Sequence, residues 1–481
     1  MRTDWYKPVM AAAGAPLRPE TFNFAIRKGG PFFMPLDPVA HVKSLLPQIT
    51  DDDMAYLRTR GLGLGNAFRE AMASDIEVHG LPAGAWFGNR EVVLTVTGPS
   101  AIASYLEAQV IWLRFRIQVA TLAKLAPERL SSVLSTVTCA RERDIVLETL
   151  DQAETHADFE IKIDEEGYFN HIRSRAAELI ELVGDPTRVF EAGMRAASCI
   201  EQHRIAVQAA AEAGFLATSN VEVAREIGII AGGTTGHEHT QRHFGDRAAF
   251  SAVRDRVAGE VTFLLDTYST RSCGLPSAID VMRETPDRVC SIRFDSEATM
   301  EGDYLLGVHA LREAGITAPI NLGGGFNADQ TRRFEELRRF VDWPAPMQRY
   351  MYGQYLVEPH VPLPTRGDVG AVYKVSQSGA RATMKFSDDP AKSSAPGCPV
   401  TWRLISPGRA DRGNRPIGLI GQLGEIPPAD YQVLTDGRPM HTAPQMLRDV
   451  TPVLSPATQA LTDELTEHRR AQIALVGRSH F

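Results

Sequence analysis

Thr21-Phe22-Asn23-Phe24-Ala25-Ile26 alternates polar and apolar side chains, the period of a half-buried strand. Glu91 to Thr97 is a second strand-like run and ends at Gly98-Pro99, a turn signal. From Ala101 to about Ala123 the pattern predicts a long helix capped by Ser100. Tyr105, Leu106, Val110, Ile111 and Leu113 leave that helix little polar face, which predicts burial. The sequence then turns charged: residues 125 to about 190 read as solvated helices, with an acidic cluster at Asp164-Glu165-Glu166.

Between 190 and about 360 the pattern switches back and forth between helix and strand. Ile227 to Ala231 runs into a glycine-rich turn, Val261 to Leu265 is a short apolar strand, and Ser291 to Phe294 follows a helix. Ile320-Asn321-Leu322 runs into three glycines. Such alternation predicts parallel strands joined by helical crossovers, a barrel-like α/β core whose ligand lies at the C-terminal strand ends. His237, Asp266, Asp295 and Gly323 to Gly325 fall at those ends. Residues 368 to 405 return to strand-like patterning, and a polar helix from about Pro456 to Ala474 closes a Pro- and Gly-rich tail.

The composition narrows the class. A hydrophobic fraction of 43% and a charged fraction of 23% over 481 residues describe an ordinary globular chain of two or three domains. A net charge of −8 argues against a nonspecific partner such as nucleic acid or a membrane surface, which demands a basic face. The five cysteines, Cys139, Cys199, Cys273, Cys290 and Cys398, include no C-x-x-C pair and fit a reducing compartment. No signal-peptide pattern and no run of about 20 apolar residues occurs, so the expected location is cytoplasmic.

Motifs spread over about 400 residues carry a family resemblance. Thr3-Asp4-Trp5-Tyr6-Lys7 with Met10, the strand Thr21 to Lys28, Phe190 to Arg195, Phe215 to Asn220 and Gly233 to Glu238 follow one another in order. After them come Asp266-Thr267-Tyr268, Ile292 to Ser296, Gly370 to Lys374 and Lys385 to Lys392. In this order they resemble the nicotinate phosphoribosyltransferases. The resemblance implies an incomplete α/β-barrel core at 190–367, an N-terminal α/β domain at 1–125 rejoined by about 368–405, an acidic helical insert at 126–189, and a covering C-terminal segment at 406–481. It also implies a homodimer with shared sites, phosphoribosyl transfer from phosphoribosyl pyrophosphate (PRPP) to nicotinate in NAD biosynthesis, Mg²⁺ as cofactor, and ATP coupling through a phosphohistidine.

The resemblance implies roles for particular residues. Phe215, and Tyr6 reaching from a second protomer, are expected on the two faces of a pyridine ring, where stacking suits a flat, electron-poor heterocycle. Arg293 suits the nicotinate carboxylate, with Asp295 on the same strand face turned toward ribose or Mg²⁺. Arg195 is expected at the PRPP phosphates, Thr218 and Ser219 beside the pyridine, and Gly323, Gly324 and Gly325 where backbone N–H groups approach an anion. Ser219 stands where nicotinamide-using relatives carry Asp, which favours an acid substrate. The histidine phosphorylated by ATP is implied to be His237, with His239 as the alternative. His237, His239 and His243 also have a spacing some metal sites use.

Four positions depart from the family pattern. Ala196 replaces the second Arg of an R-R pair, Glu297-Ala298 replaces the acidic end of D-S-G-D, and Gly323 to Asn327 replaces S-N/D-N-L-D. Tyr352-Gly353-Gln354-Tyr355 stands where a glycine-rich phosphate loop is expected. Alternative readings are transfer to nicotinamide or another modified pyridine, a non-catalytic pyridine-binding relative, and a metal-dependent barrel hydrolase using His237 and His239.

Overall fold

A computed structural model describes the chain except residues 387–393, 406–414, 435–442, 449 and 480–481. All of the Lys385 to Lys392 motif after Phe386 therefore lies outside the described residues. The chain opens with the helix Tyr6–Ala12, then lays down β1 (Pro19–Ala25), β2 (Glu77–Gly80) and β3 (Val92–Pro99). Seven strands follow: β4 (Val189–Glu191), β5 (Ala217–Thr218), β6 (Ile230–Ala231), β7 (Val261–Leu264), β8 (Cys290–Phe294), β9 (Ile320–Leu322) and β10 (Gln348–Tyr352). The chain then returns through β11 (Val372–Ser378) and β12 (Arg381–Ala382) to the first sheet.

The seven middle strands are all parallel, in the order β6-β5-β4-β10-β9-β8-β7. Chain neighbours are sheet neighbours everywhere except between β6 and β7, where the two edges carry no pairing. The sheet is thus a barrel open along one seam, and the expected α/β core is seen. A cavity of about 510 Å³ runs between Phe190, Asn321, Met351 and the seam.

The N-terminal sheet is antiparallel, in the order β12-β11-β1-β3-β2. One continuous apolar core joins it to the barrel, with Phe22, Phe24, Tyr373 and the barrel's Ile292 and Ile320 all fully buried. A polar clamp adds to that joint: Arg242 donates twice to Glu20, at 2.7 and 2.8 Å, with both side chains buried. A four-stranded sheet that includes Pro399–Leu404 packs on β3, through Thr401 and Val92. The final helix, Pro456–Ser479, runs beyond the end read from the pattern.

Two local readings change. The long apolar helix breaks at Leu106 into Ser100–Tyr105 and Glu107–Leu125, and the Ser100 hydroxyl donates to Ala15 rather than capping. The charged stretch holds helices Ala140–Gln152 and Glu165–Val183, whose inner faces (Ile145, Val146, Tyr168, Ile172, Leu179) join the main core. The density of charge hid that amphipathic period, because the charges occupy only the outer face. Among the described residues, no helix is long and apolar enough to cross a membrane.

Candidate active site

The cleft forms where the C-terminal ends of the barrel strands meet the first helix and β11. The glycine-rich turn after β6 ends at Gly236, and the helix His237–His243 starts on His237 itself. That turn presents the imidazole to the ends of β7 and β8. His237 Nδ1 lies 3.1 Å from Thr267 Oγ1, while Nε2 faces Lys385 Nζ at 3.1 Å. Asp295 Oδ2 and Asp266 Oδ1 stand 3.7 and 3.8 Å from the same nitrogen. Burial, helped by the Lys385 charge, lowers the His237 pKa against the pull of the two carboxylates, so the ring is neutral at neutral pH.

Arg293 and Asp295 share one face of β8 and its end, and they meet at 2.6 Å; a second Arg293 nitrogen reaches Thr234 at 2.7 Å. Burial opposes ionisation of Asp295, but the Arg293 charge, with that of Lys385, outweighs it and holds the carboxyl well below its usual range. Ser296 donates to Asp266 Oδ2 at 2.8 Å, which leaves the buried Asp266 Oδ1 without a hydrogen-bond partner.

A second charged layer backs the first. Tyr6 donates to Glu107, and Lys7 bridges Glu107 at 2.8 Å and Glu238 at 2.9 Å. Arg195 stands 3.6 Å from Glu107 and 3.7 Å from Asp4, with its guanidinium 5.7 Å from the Tyr6 ring centre. Lys374 from β11 approaches Glu107 at 3.8 Å. Burial of Glu107 is overcome by Lys7, Arg195 and Lys374, which keep it ionised.

The structure brings Tyr6, Arg195, His237, Arg293 and Asp295 together around one small cavity. Tyr6 lines the cleft of its own chain. The helix that carries it is pinned by Trp5 N donating to Ser219 O at 2.6 Å and by the bridge between Asp4 and Asn220. Phe215 does not face the cavity: it is buried in the core, edge-on to Tyr352 at 6.2 Å. Thr218 turns to Glu191, and Ser219 donates to Asp4 at 2.6 Å. Within one chain, Tyr6 and Phe215 therefore do not face each other.

The three glycines act through close approach. The Gly323 N–H is already given to Phe294 O, and a side chain on Gly324 (φ +85°) would meet the Asp295 carbonyl at 2.5 Å. His239 points away from the cleft, to Ala249 O at 2.8 Å, and packs on His243. His237, His239 and His243 thus do not converge. The one group of described residues spaced to hold a metal is His237, Asp266 and Asp295. The unpartnered Asp266 oxygen fits a hard cation, and Mg²⁺, which prefers oxygen ligands, would be held by Asp266 and Asp295.

Sequence reasoning assigned no role to Lys374 and Lys385 and gave Glu107 only as part of a motif. Lys374 and Lys385 stand in quoted motifs too, but nothing in a strand's period says which of its residues will face another sheet's cleft.

The open parallel barrel, with a histidine–carboxylate–cation cleft at its strand ends and an N-terminal sheet over it, has counterparts among solved structures. Solved nicotinate phosphoribosyltransferases from Vibrio cholerae and Porphyromonas gingivalis share it, with TM-scores of 0.58 and 0.57 at 16% identity. Each alignment covers 82% of this chain, and 89% and 95% of those chains respectively. In sequence, the Bacillus subtilis nicotinate phosphoribosyltransferase is 29% identical over 249 residues, 50% of this chain and 48% of that protein. The Bos taurus nicotinate phosphoribosyltransferase is 25% identical over 320 residues, 54% of this chain and 56% of that protein. The chain spans about half the length of the curated relatives it matches, and no family model matches it. The chain is similar in sequence to nicotinate phosphoribosyltransferases over about half its length and shares their fold.

Proposed function

We propose that this protein transfers the phosphoribosyl group of PRPP to nicotinate, giving nicotinate mononucleotide, an NAD precursor, and pyrophosphate. The pyridine nitrogen bonds to the ribose carbon as the bond from that carbon to the pyrophosphate oxygen breaks. The observation that carries the reading is the convergence of His237, Asp266, Asp295 and Lys385 at the ends of parallel strands. Mg²⁺ bound by the carboxylates supplies charge neutralisation on the departing pyrophosphate. Arg195, Lys374 and Lys385 are cations suited to its oxygens, and Asp295 faces the positive charge that develops on the ribose. Tyr6 gives the pyridine one aromatic face.

A neutral His237 with Nε2 toward Lys385 is suited to accept a phosphoryl group from ATP, which couples the reaction to ATP hydrolysis. The resemblance implies a homodimer with shared sites, and the placing of Tyr6 beside His237 within one chain supports instead a cleft completed in each chain. A product assay with Mg²⁺, PRPP and nicotinate, with and without ATP and with nicotinamide in parallel, tests the reading. Nicotinate mononucleotide is expected, lost in His237→Ala. No mononucleotide from either pyridine overturns the transfer, and preferential use of nicotinamide overturns the acid substrate.

A further inference from the structure

Next to the His237 cleft, and sharing Asp295 with it, lies a chamber of about 180 Å³. Its lining carries both charges. Asp266, Asp295, Glu297 and Asp303 share it with Lys385, Arg271 and Arg469, and Arg271 is paired with Asp303 at 2.6 Å. Carboxylates and cations lining one chamber match a divalent cation bound to phosphate oxygens.

Arg469 comes from the C-terminal helix, in a segment expected only to cover the core. Its Nε donates to Tyr268 O at 2.7 Å, and its guanidinium lies 5.5 Å from the Phe386 ring centre. Tyr268 is two residues past Asp266, and Phe386 follows Lys385 directly. Arg469 is thus braced against the segments that carry one carboxylate and one cation of the cleft. The helix itself is seated: Leu465 is buried with Tyr268, Met384 and Phe386, and His468 pairs with Phe244 O at 3.2 Å. Meanwhile the stretch Tyr352 to Tyr355, where a glycine-rich phosphate loop is expected, runs from β10 into the short helix Gln354–Val357.

We propose that the C-terminal helix completes a diphosphate-binding chamber, with Arg469 as an oxyanion-binding residue. The inference rests on the phosphoribosyl-transfer reading, and the diphosphate could be that of PRPP or the terminal pair of ATP. Calorimetric titration of the full chain with Mg²⁺ and pyrophosphate should show binding that Arg469→Ala weakens 10- to 100-fold and Arg469→Lys partly restores. Arg470→Ala, on the neighbouring exposed residue, should change nothing. In turnover, Arg469→Ala should raise the KM for PRPP if the diphosphate is PRPP's, or that for ATP if it is ATP's, with kcat within about threefold. Wild-type pyrophosphate affinity in a folded Arg469→Ala protein overturns the proposal, as does a wild-type protein that binds no pyrophosphate. Pyrophosphate binding that depends on Arg469, without mononucleotide from any pyridine, upholds the chamber and overturns the transfer reading instead.

Discussion

The Nζ of Lys385 lies 3.1 Å from Nε2 of His237, a contact between the segment after β12 and the first residue of a barrel helix. An ammonium can only donate, so Nε2 is the acceptor and the ring proton sits on Nδ1, facing Thr267 Oγ1. The lone pair that would attack a phosphorus is thereby aimed at a cation able to hold the incoming phosphate oxygens. Lys385→Met should lower the ATP-stimulated rate by about 100-fold and abolish acid-labile phosphate on His237, measured with labelled ATP. Lys385→Arg should recover part of both. A Lys385→Met protein with undiminished phosphohistidine would show that the contact is incidental.

The position of Tyr6 makes a prediction about assembly. Its hydroxyl donates to Glu107 and its ring faces Arg195, both in the same chain. If each cleft is filled in cis, mixing inactive Tyr6→Ala and His237→Ala proteins under subunit-exchange conditions should restore no activity. A site shared across a dimer would regain up to about a quarter of the wild-type rate, from hybrids that rebuild one intact site. Mixed-variant turnover therefore decides between the two arrangements whatever the oligomeric state.

Much of the barrel was legible because its strands are short, apolar and separated by helices, so the change of period marks each element. His237, Asp295 and Arg293 were legible for the same reason: they end strands or turns, where parallel sheets present their ligands. Phe215 stands two residues before β5, outside any strand period that would assign its face. Its ring pairs with Tyr352 in the core instead. Lys374 and Lys385 went unassigned because their importance arises from the N-terminal sheet closing over the barrel, a contact made by residues more than a hundred positions apart. Ser219 was read as a neutral position, yet its hydroxyl is bonded to the carboxylate of Asp4. Removing an acid at one position does not remove it from the neighbourhood.

Lys374 gives the cleft a pH dependence. Burial pulls its ammonium down to about 7, opposed by Glu107 and assisted by Lys385. The free protein therefore carries the charge below pH 7 and loses it as pH rises. If the charge binds PRPP, kcat/KM for PRPP should fall about tenfold per unit at pH values above about 7. Lys374→Arg should flatten that limb, because a guanidinium stays protonated, and Lys374→Met should cost rate at pH 6 but little at pH 9. A wild-type profile level from pH 6 to 9 would refute the assignment.

Gly324 holds the loop after β9 against the catalytic carboxylate's own backbone. Its φ of +85° is a conformation that costs other residues about 1–2 kcal/mol. A Cβ there would also stand 2.5 Å from the carbonyl oxygen of Asp295, which must then move. Gly315 isolates the first effect from the second, since its φ is +68° but no atom lies within 4 Å of the added Cβ. Both Gly315→Ala and Gly324→Ala should lower thermal stability by a similar few degrees from backbone strain, as calorimetry would show. Only Gly324→Ala should reduce product formation, by about 10- to 100-fold, because a displacement near 1 Å at Asp295 spoils its alignment with Arg293 and His237. Equal activity in the two variants would mean that the glycine loop serves the fold alone.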